Sequence, residues 1–368
     1  MKTLLIALFF FSTFLSAQND SILGNVKSVR EKIIFMDSIQ KREILEFGEE
    51  YGHFGFSTPE LKLSQMMRVW YNTASSGYAN YIRNFNEKGQ LISEEWFDMK
   101  DSIMYGFKYE YDKMGNLIQS LESYRGKEYS TINNYKYIFD GLLRTKVRVY
   151  MDSPEYYFYS IYHYDENKNL IQIRNFDEYG EQIGTKYEYD EQGRISKQYK
   201  HPNYIYVKEG KSWVTKIDNS DMDYMEKINI YDEFSNLIQE KLFGRVEDYS
   251  NEYKQTGTMI YSYNDKGQII KSCLQSNSIS KPQPLCKLYR YDENKFLKEK
   301  DEPEEKALYE YIDGYISEIK YERKIFDKWE KSQVNFQYEF DSQKNWTKQT
   351  KIVNGVPLYV RMREIEYF

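Results

Sequence analysis

Hydrophobic and polar residues alternate along most of this chain, and the alternation is written in a recurring unit. Two aromatics stand one residue apart, an acid follows, then a short turn and an aliphatic pair. The clearest copy is Tyr109-Glu110-Tyr111-Asp112-Lys113-Met114-Gly115-Asn116-Leu117-Ile118. Tyr187-Glu188-Tyr189-Asp190-Glu191-Gln192-Gly193-Arg194-Ile195 repeats it, and looser copies begin at Tyr81, Tyr137, Tyr162, Asn229, Tyr261, Tyr289, Tyr309 and Tyr338. A period of two is the strand signal. It sends Tyr109 and Tyr111 to one face and Lys108 and Glu110 to the other.

The acid then opens a turn. Asp112 can accept a backbone N–H two residues on, and Gly115 suits the left-handed position of a type I turn with a bulge. That register sets Leu117 opposite Tyr111 and Ile118 opposite Glu110. The same reading pairs Phe85 with Leu91, Tyr164 with Leu170, Tyr189 with Ile195, Tyr231 with Leu237 and Tyr263 with Ile269. Lys168, Ser235, Lys295 and Lys344 stand where glycine is expected, so they either adopt a strained backbone or shift the turn onto Asn167 or Asn294. Asp140-Gly141 and Asp313-Gly314 suit two-residue type I′ turns. Arg125-Gly126, Asp177 to Gly180 and Asn354-Gly355 are candidate return turns at the opposite edge.

Turn acids recur 28 residues apart from Asp112 to Asp140 and then 25 apart to Asp165 and Asp190. Each period holds two strands, so the expected fold is all-β: tandem antiparallel β-hairpin repeats in one long meander. Apolar residues on both faces, as at Tyr111 and Ile118, favour a twisted, curved sheet, either β-solenoid-like or an open ribbon. The Tyr-x-Tyr-Asp-x-x-Gly-(Asn/Arg)-(Leu/Ile) units resemble the YD repeats of the Rhs family, with coverage from about Tyr81 to the C-terminus. That resemblance implies a wound strip of hairpins, which in large members encloses a toxic C-terminal domain. The core block of those members and a domain after the last repeat are missing here, so the chain is similar to small exported, repeat-only proteins.

The departures from the rhythm set the domain boundaries. Residues 1–17 read as a signal peptide: Lys2, the apolar run from Leu4 to Phe11, and the small-residue site Leu15-Ser16-Ala17. Residues 18–80 form an N-terminal strand (Val26 to Met36) and a capping segment. Within it, Thr58-Pro59-Glu60 followed by Leu63, Met66, Met67 and Trp70 predicts a short helix over the open end. Residues 81–368 form the array, interrupted at about 200–227, where turn acids Asp190 and Asp232 are 42 residues apart. There an extra hairpin across Glu209-Gly210 would project, and insertions on repeat scaffolds often carry the binding surface. Tyr204, Tyr206 and Trp213 are its candidate ligand-binding residues. Cys273 and Cys286, the only cysteines, bracket a Ser/Pro-rich loop and are expected to form a disulfide in an oxidising compartment.

Composition narrows the function without naming it. A net charge of −6 offers no basic field, so nucleic acid is not an expected partner. The 38 tyrosines fit half-buried pleated surfaces. No segment after the signal is apolar for long enough to cross a membrane as a helix. His53, His163 and His201 are far apart, Ser278-Ile279-Ser280-Lys281 falls in a loop, and the aspartates read as turn initiators; Asp218, Asp221 and Asp223 only loosely approach a calcium loop. No catalytic residue, metal site or cofactor is assigned. The leading expectation is an exported, non-catalytic scaffold, periplasmic, outer-membrane-associated or secreted, that binds a carbohydrate or an envelope protein. The alternatives are a component of an Rhs-like toxin or contact-dependent system, and a hydrolase with an unrecognised site.

Overall fold

The computed structural model describes residues 22–36, 80–97, 101–126, 130–138, 141–201, 204–210, 212–217, 223–245, 252–277, 283–325 and 327–368. The signal segment, the helix expected from Thr58 to Trp70 and Ser278 to Lys281 lie outside the described residues. Alternating sequence becomes strand throughout, and the described residues contain no helix. The strands are β1 (Val26–Phe35), β2 (Tyr81–Phe85), β3 (Leu91–Phe97), β4 (Ile103–Tyr111), β5 (Leu117–Tyr124) and β6 (Thr131–Tyr137). Then come β7 (Leu143–Tyr150), β8 (Tyr157–Tyr164), β9 (Leu170–Asp177), β10 (Gly180–Tyr189), β11 (Ile195–His201) and β12 (Tyr204–Glu209). They continue as β13 (Ser212–Ile217), β14 (Tyr224–Tyr231), β15 (Leu237–Arg245), β16 (Tyr253–Tyr263), β17 (Ile269–Ser276) and β18 (Leu285–Tyr291). The last are β19 (Leu297–Glu302), β20 (Glu305–Ile312), β21 (Tyr315–Ile325), β22 (Lys328–Phe340), β23 (Trp346–Val353) and β24 (Val356–Tyr367).

The fold is all-β with antiparallel neighbours, but in place of the expected long meander the two ends meet. β24 pairs with β1 from Val26↔Tyr367 to Phe35↔Tyr359, and β1 pairs with β2 on its other side. β11 pairs directly with β14, so β12 and β13 form a separate two-stranded sheet. The result is a closed 22-stranded barrel. This corrects the open-ribbon or solenoid-like expectation. An open ribbon would leave β1 and β24 as long edges with unpaired N–H and C=O groups, and closure satisfies both. Phe368 N–H donates to the Asn25 carbonyl at 3.0 Å, extending the seam to the last residue.

The turns repeat one hydrogen-bonded design. Asp112 Oδ1 accepts the backbone N–H of Met114 at 2.9 Å and of Asn116 at 2.8 Å, and Oδ2 accepts the Asn116 side-chain amide at 3.0 Å. Asp165, Asp232 and Asp341 do the same with their own backbone. Lys168, Ser235, Lys295 and Lys344 take the left-handed conformation themselves, with φ between 67° and 70°, so the turn does not shift to Asn167 or Asn294. Gly141 N–H bonds to the Ile138 carbonyl and Ile138 N–H to Leu142, the same five-residue pattern, in place of the expected two-residue turn. Asp313-Gly314 does form a two-residue turn, with φ of 52° and 85°. The bulge after each turn also moves one register: Gln119, not Ile118, lies opposite Glu110, while Leu117 lies opposite Tyr111 as expected.

One further bond links hairpin to hairpin. In most units a tyrosine near the turn donates its hydroxyl to the carbonyl of the residue that opens the strand after the preceding turn. Examples are Tyr111 to Leu91 at 2.8 Å, Tyr137 to Leu117 at 2.9 Å, Tyr164 to Leu143 at 2.8 Å and Tyr263 to Leu237 at 2.8 Å. Tyr231 reaches back to Ile195 at 2.9 Å, so the ladder passes over the inserted hairpin without a break. Register places these tyrosines on one face around the whole barrel. The largest fully buried side chains, among them Trp346, Tyr359, Ile319 and Glu31, share that face, which therefore lines the interior where side chains converge. The outer face carries directly opposed charge pairs: Lys197–Glu188 at 2.7 Å, Lys331–Glu322 at 2.7 Å, Arg290–Glu299 at 3.0 Å and Lys348–Glu339 at 2.6 Å.

Candidate functional site: one rim and the interior of the barrel

The two rims of the barrel are chemically different. One is built from the short Asp- and Asn-initiated turns, which touch one another: Gln90 Nε2 donates to the Gly115 carbonyl at 3.1 Å and Gln268 Nε2 to Lys295 at 3.1 Å. These contacts constrain turn length and composition. The other rim carries the return connections, where described contacts between neighbours run through the backbone, as from Met151 N–H to the Ser130 carbonyl at 2.7 Å and from Asn354 N–H to Gln333 at 2.8 Å. Here fall the long links 36–80, 202–223, 246–252 and 277–284. Large apolar side chains are exposed along this rim at Met151, Tyr156, Tyr157, Phe158 and Trp329, and Tyr179 at the β9–β10 tip is 78% exposed.

The inserted hairpin rises from the same rim. It spans Tyr204–Glu209 and Ser212–Ile217 with Gly210 at φ 63° in its turn, close to the expected position. Its register pairs Tyr204 with Ile217, Tyr206 with Thr215 and Trp213 with Lys208. The three candidate residues thus sit on one hairpin that belongs to no part of the barrel wall. At its foot, Lys186 Nζ pairs with Asp223 Oδ2 at 2.7 Å, which gives Asp223 an ion-pair partner; Asp218 and Asp221 lie outside the described residues. The histidines are not brought together: His163 pairs with Gln172 and His201 with Gly184 on separate strands, and His53 lies outside the described residues.

The disulfide is formed. Cys273 and Cys286 are direct cross-strand partners in β17 and β18, with Cα atoms 4.0 Å apart, and the bridge closes the base of the 277–284 loop. The signals for it were the two cysteines bracketing a loop and the oxidising compartment that the signal segment implies.

Sequence reasoning missed the interior charge cluster at the seam. Glu31 on β1 is fully buried. Its carboxylate accepts hydrogen bonds from Arg361, from Arg363 at 2.9 and 3.1 Å, and from the Tyr81 hydroxyl at 2.9 Å. The Arg363 guanidinium lies 3.6 Å from the Trp346 ring centroid and Arg361 lies 5.1 Å from it. Beside this cluster Arg83 bonds to Glu94 at 2.9 Å. Burial opposes the Arg83 charge, but Tyr81 and Glu94 outweigh it and raise its pKa. A cavity of about 330 Å³ opens beside these residues, lined by Val29, Tyr81, Arg83, Phe85 and Arg363 and by the chain at Gly24 to Val26. Its polar groups are guanidiniums, amides and a phenol. The signal available in sequence was a charged residue at an inward position of a strand, at Glu31, Arg361 and Arg363, but the partners are more than 300 positions apart.

The interior is packed on one side and wetter on the other. Tyr289, Leu297, Ala307, Tyr309, Ile319 and Val334 form a buried cluster across β18 to β22. On β9 and β15 every residue is only half-buried. Phenols that reach inward are held neutral: burial pushes Tyr189 and Tyr263 up to about 12, and burial with the Glu94 carboxylate raises Tyr109 further.

No protein-family model matches the sequence, and no curated protein matches it. Among solved structures the chain is similar to the crystal structure of TcdB2-TccC3, at 12% identity and a TM-score of 0.41, covering 88% of this chain and 17% of that one. It is also similar to TcdB2-TccC3-TEV, at 10% identity and a TM-score of 0.39, covering 77% and 16%. A porin-like protein from Bacteroides uniformis gives 14% identity and a TM-score of 0.21, covering 71% and 95%. The chain thus spans less than a fifth of the length of the first two.

Proposed function

We propose that the chain is an exported, non-catalytic barrel scaffold that binds a glycan or a protein at the cell envelope or outside the cell, through the rim of return connections. The observation that carries this reading is segregation. Long links, a run of exposed rings and the inserted hairpin share one rim, while the other is occupied mainly by short turns that hold the barrel together, with Phe234 exposed among them. Binding groups concentrate on connections positioned by a rigid scaffold. The Cys273–Cys286 bridge supports export, because such bonds persist in oxidising compartments.

The outer face supports a barrel that works in water. A lipid-facing Lys or Arg at the bilayer midplane costs about 2–4 kcal/mol, and this face carries Lys197, Arg290, Lys331 and Lys348 in cross-strand pairs. Closure of the sheet favours one second reading, a component of an Rhs-like toxin or contact-dependent system that encloses a polypeptide. The hydrolase reading needs carboxylates gathered in a pocket, and the seam cavity lines itself with arginines instead.

The test uses the exported protein on a glycan array and against solubilised envelope proteins. We expect binding to one of them, abolished when Tyr204, Tyr206 and Trp213 are all replaced by alanine. The β11–β14 pairing keeps the barrel intact in that variant. Wild-type protein that binds neither array sinks the proposal; protection of a co-expressed polypeptide from protease would move it to the enclosure reading.

A further inference from the structure

The interior carries a feature that the rim does not explain. β4 presents four aromatics on one face, Tyr105, Phe107, Tyr109 and Tyr111, and the first three run nearly parallel. Tyr105 and Phe107 have centroids 6.4 Å apart at an interplanar angle of 16°, and Phe107 and Tyr109 are 6.4 Å apart at 11°. Neighbouring strands widen this track near the return rim. Trp96 on β3 lies 5.5 Å from Tyr105 and 4.9 Å from Phe107, and Tyr124 on β5 lies 5.2 Å from Tyr105. Tyr124 is 38% exposed, and Trp96, Tyr105 and Phe107 are half-buried, so the rings are in reach of solvent inside the barrel.

What borders the track is polar. Directly opposite Phe107 stands Glu122, and Glu122 Oε2 accepts a bond from Arg148 at 3.2 Å. Arg148 Nε donates to Asn133 Oδ1 at 3.1 Å, and Asn133 Nδ2 donates to Ser120 Oγ at 3.2 Å. These planar side chains share the inner face and hold one another in place. On β5 and β6 the inward positions beside Tyr105, Phe107 and Tyr109 include Ser120, Glu122, Thr131 and Asn133, and an aliphatic, Leu117, stands inward only at the turn end, opposite Tyr111. An apolar peptide or acyl chain would cover the rings but strand these polar groups without water, which is costly. A sugar chain meets both needs. Its C–H faces stack on rings while its hydroxyls, donors and acceptors together, match a carboxylate, a guanidinium and an amide. Strands about 4.8 Å apart also set Trp96, Tyr105 and Tyr124 at steps close to the length of one pyranose unit.

We infer that the β3–β5 aromatic track, with Glu122, Arg148 and Asn133 beside it, is a binding site for a linear glycan inside the barrel. The inference rests on the reading of the chain as a non-catalytic binding scaffold, takes its ligand to be carbohydrate and places the binding site inside the barrel instead of on the inserted hairpin. Trp96 and Tyr105 form the platform nearest the return rim, Phe107 continues it inward, and the Glu122–Arg148–Asn133 network takes the hydroxyls.

The experiment titrates the full exported protein with cello-, xylo-, malto- and chitohexaose by calorimetry and by tryptophan fluorescence. One hexaose is expected to bind. Tyr105→Ala should weaken it by roughly tenfold or more, the scale of losing one stacked ring, and Glu122→Gln should weaken it while leaving the melting temperature in place. Tyr105→Leu, which keeps bulk at the site, replaces the alanine variant if that one does not fold. Phe234→Ala, on the opposite rim, should change nothing. Binding of no hexaose overturns the inference and leaves rim recognition of a protein standing. Binding that survives both track variants but is lost on replacing Tyr204, Tyr206 and Trp213 also overturns it, and places the sugar on the rim.

Discussion

At the scale of single residues, the unit works through two groups. The turn acid folds three donors around one carboxylate, and the hydrogen bonds from Asn116 to Asp112 and from Asn236 to Asp232 hold those carboxyls below their ordinary pKa. A depressed folded-state pKa gives stability that is present above the unfolded value, about 3.9, and lost as pH falls through the folded one. Acid should therefore loosen the Asp turns first. The hairpins opened by Asn86 and Asn264 make the same backbone bonds without a titrating group. Asp112→Asn combined with Asp232→Asn is expected to move the acid-unfolding midpoint to lower pH, followed by circular dichroism; a midpoint moved upward would refute this account.

The second group is the tyrosine hydroxyl. Tyr263→Phe removes its bond to the Leu237 carbonyl and should cost about 1 kcal/mol in urea unfolding. Tyr189 and Tyr263 are raised to about 12 by burial, against about 10 for the unfolded chain. Their contribution is complete below pH 10 and disappears as pH climbs toward 12. Stability should therefore decline across that window, and spectrophotometric titration should show a late-ionising class of phenols. If all phenols ionise together near pH 10 in the folded protein, the inward placement is wrong.

At the scale of elements, the bulge after each turn decides which side chains face inward. Tyr111 with Leu117 could be read in advance, because the pair flanks the turn symmetrically. Ile118 could not, since the bulge residue belongs to neither face of a regular ladder. The inserted hairpin was legible for the opposite reason: two alternating stretches around Glu209-Gly210 need nothing but each other to pair. The disulfide is also an element-level device, tying β17 to β18 at the base of the connection between them. Cys273→Ser with Cys286→Ser, or reduction, should lower unfolding free energy by about 3 kcal/mol in the loop-entropy account, the separation being 13 residues. Equal stability of oxidised and reduced protein would show that the loop is already ordered by its neighbours.

At the scale of the whole molecule, the seam is the point of failure. Everywhere else a strand of the barrel wall pairs with the next wall strand along the chain; β1 and β24 must find each other from opposite ends of it. Glu31 joins them inside the barrel by taking hydrogen bonds from Arg361 and Arg363. Removing one member of a buried ionic cluster is expensive, on the order of 3–5 kcal/mol. Glu31→Ala should destabilise by about that much and expose the β1–β24 edges, read as new sites in limited proteolysis and a larger radius in small-angle scattering. A variant that keeps its radius and protease resistance would mean the backbone pairs alone close the barrel.

The sequence by itself determined the strand period, the face given to each tyrosine, the position of the turns though not the type of each, and the place of the insertion, because each depends on residues within one hairpin. Closure, the charge cluster at the seam, the hydroxyl ladder and the aromatic track depend on which strands lie side by side after the sheet has curved. Alternation specifies two faces but not which becomes the inside, and it cannot match an edge at Val26 to one at Tyr367. Those were decided by the tertiary structure, through backbone groups that had to be paired and rings and charges that meet only once the ends join.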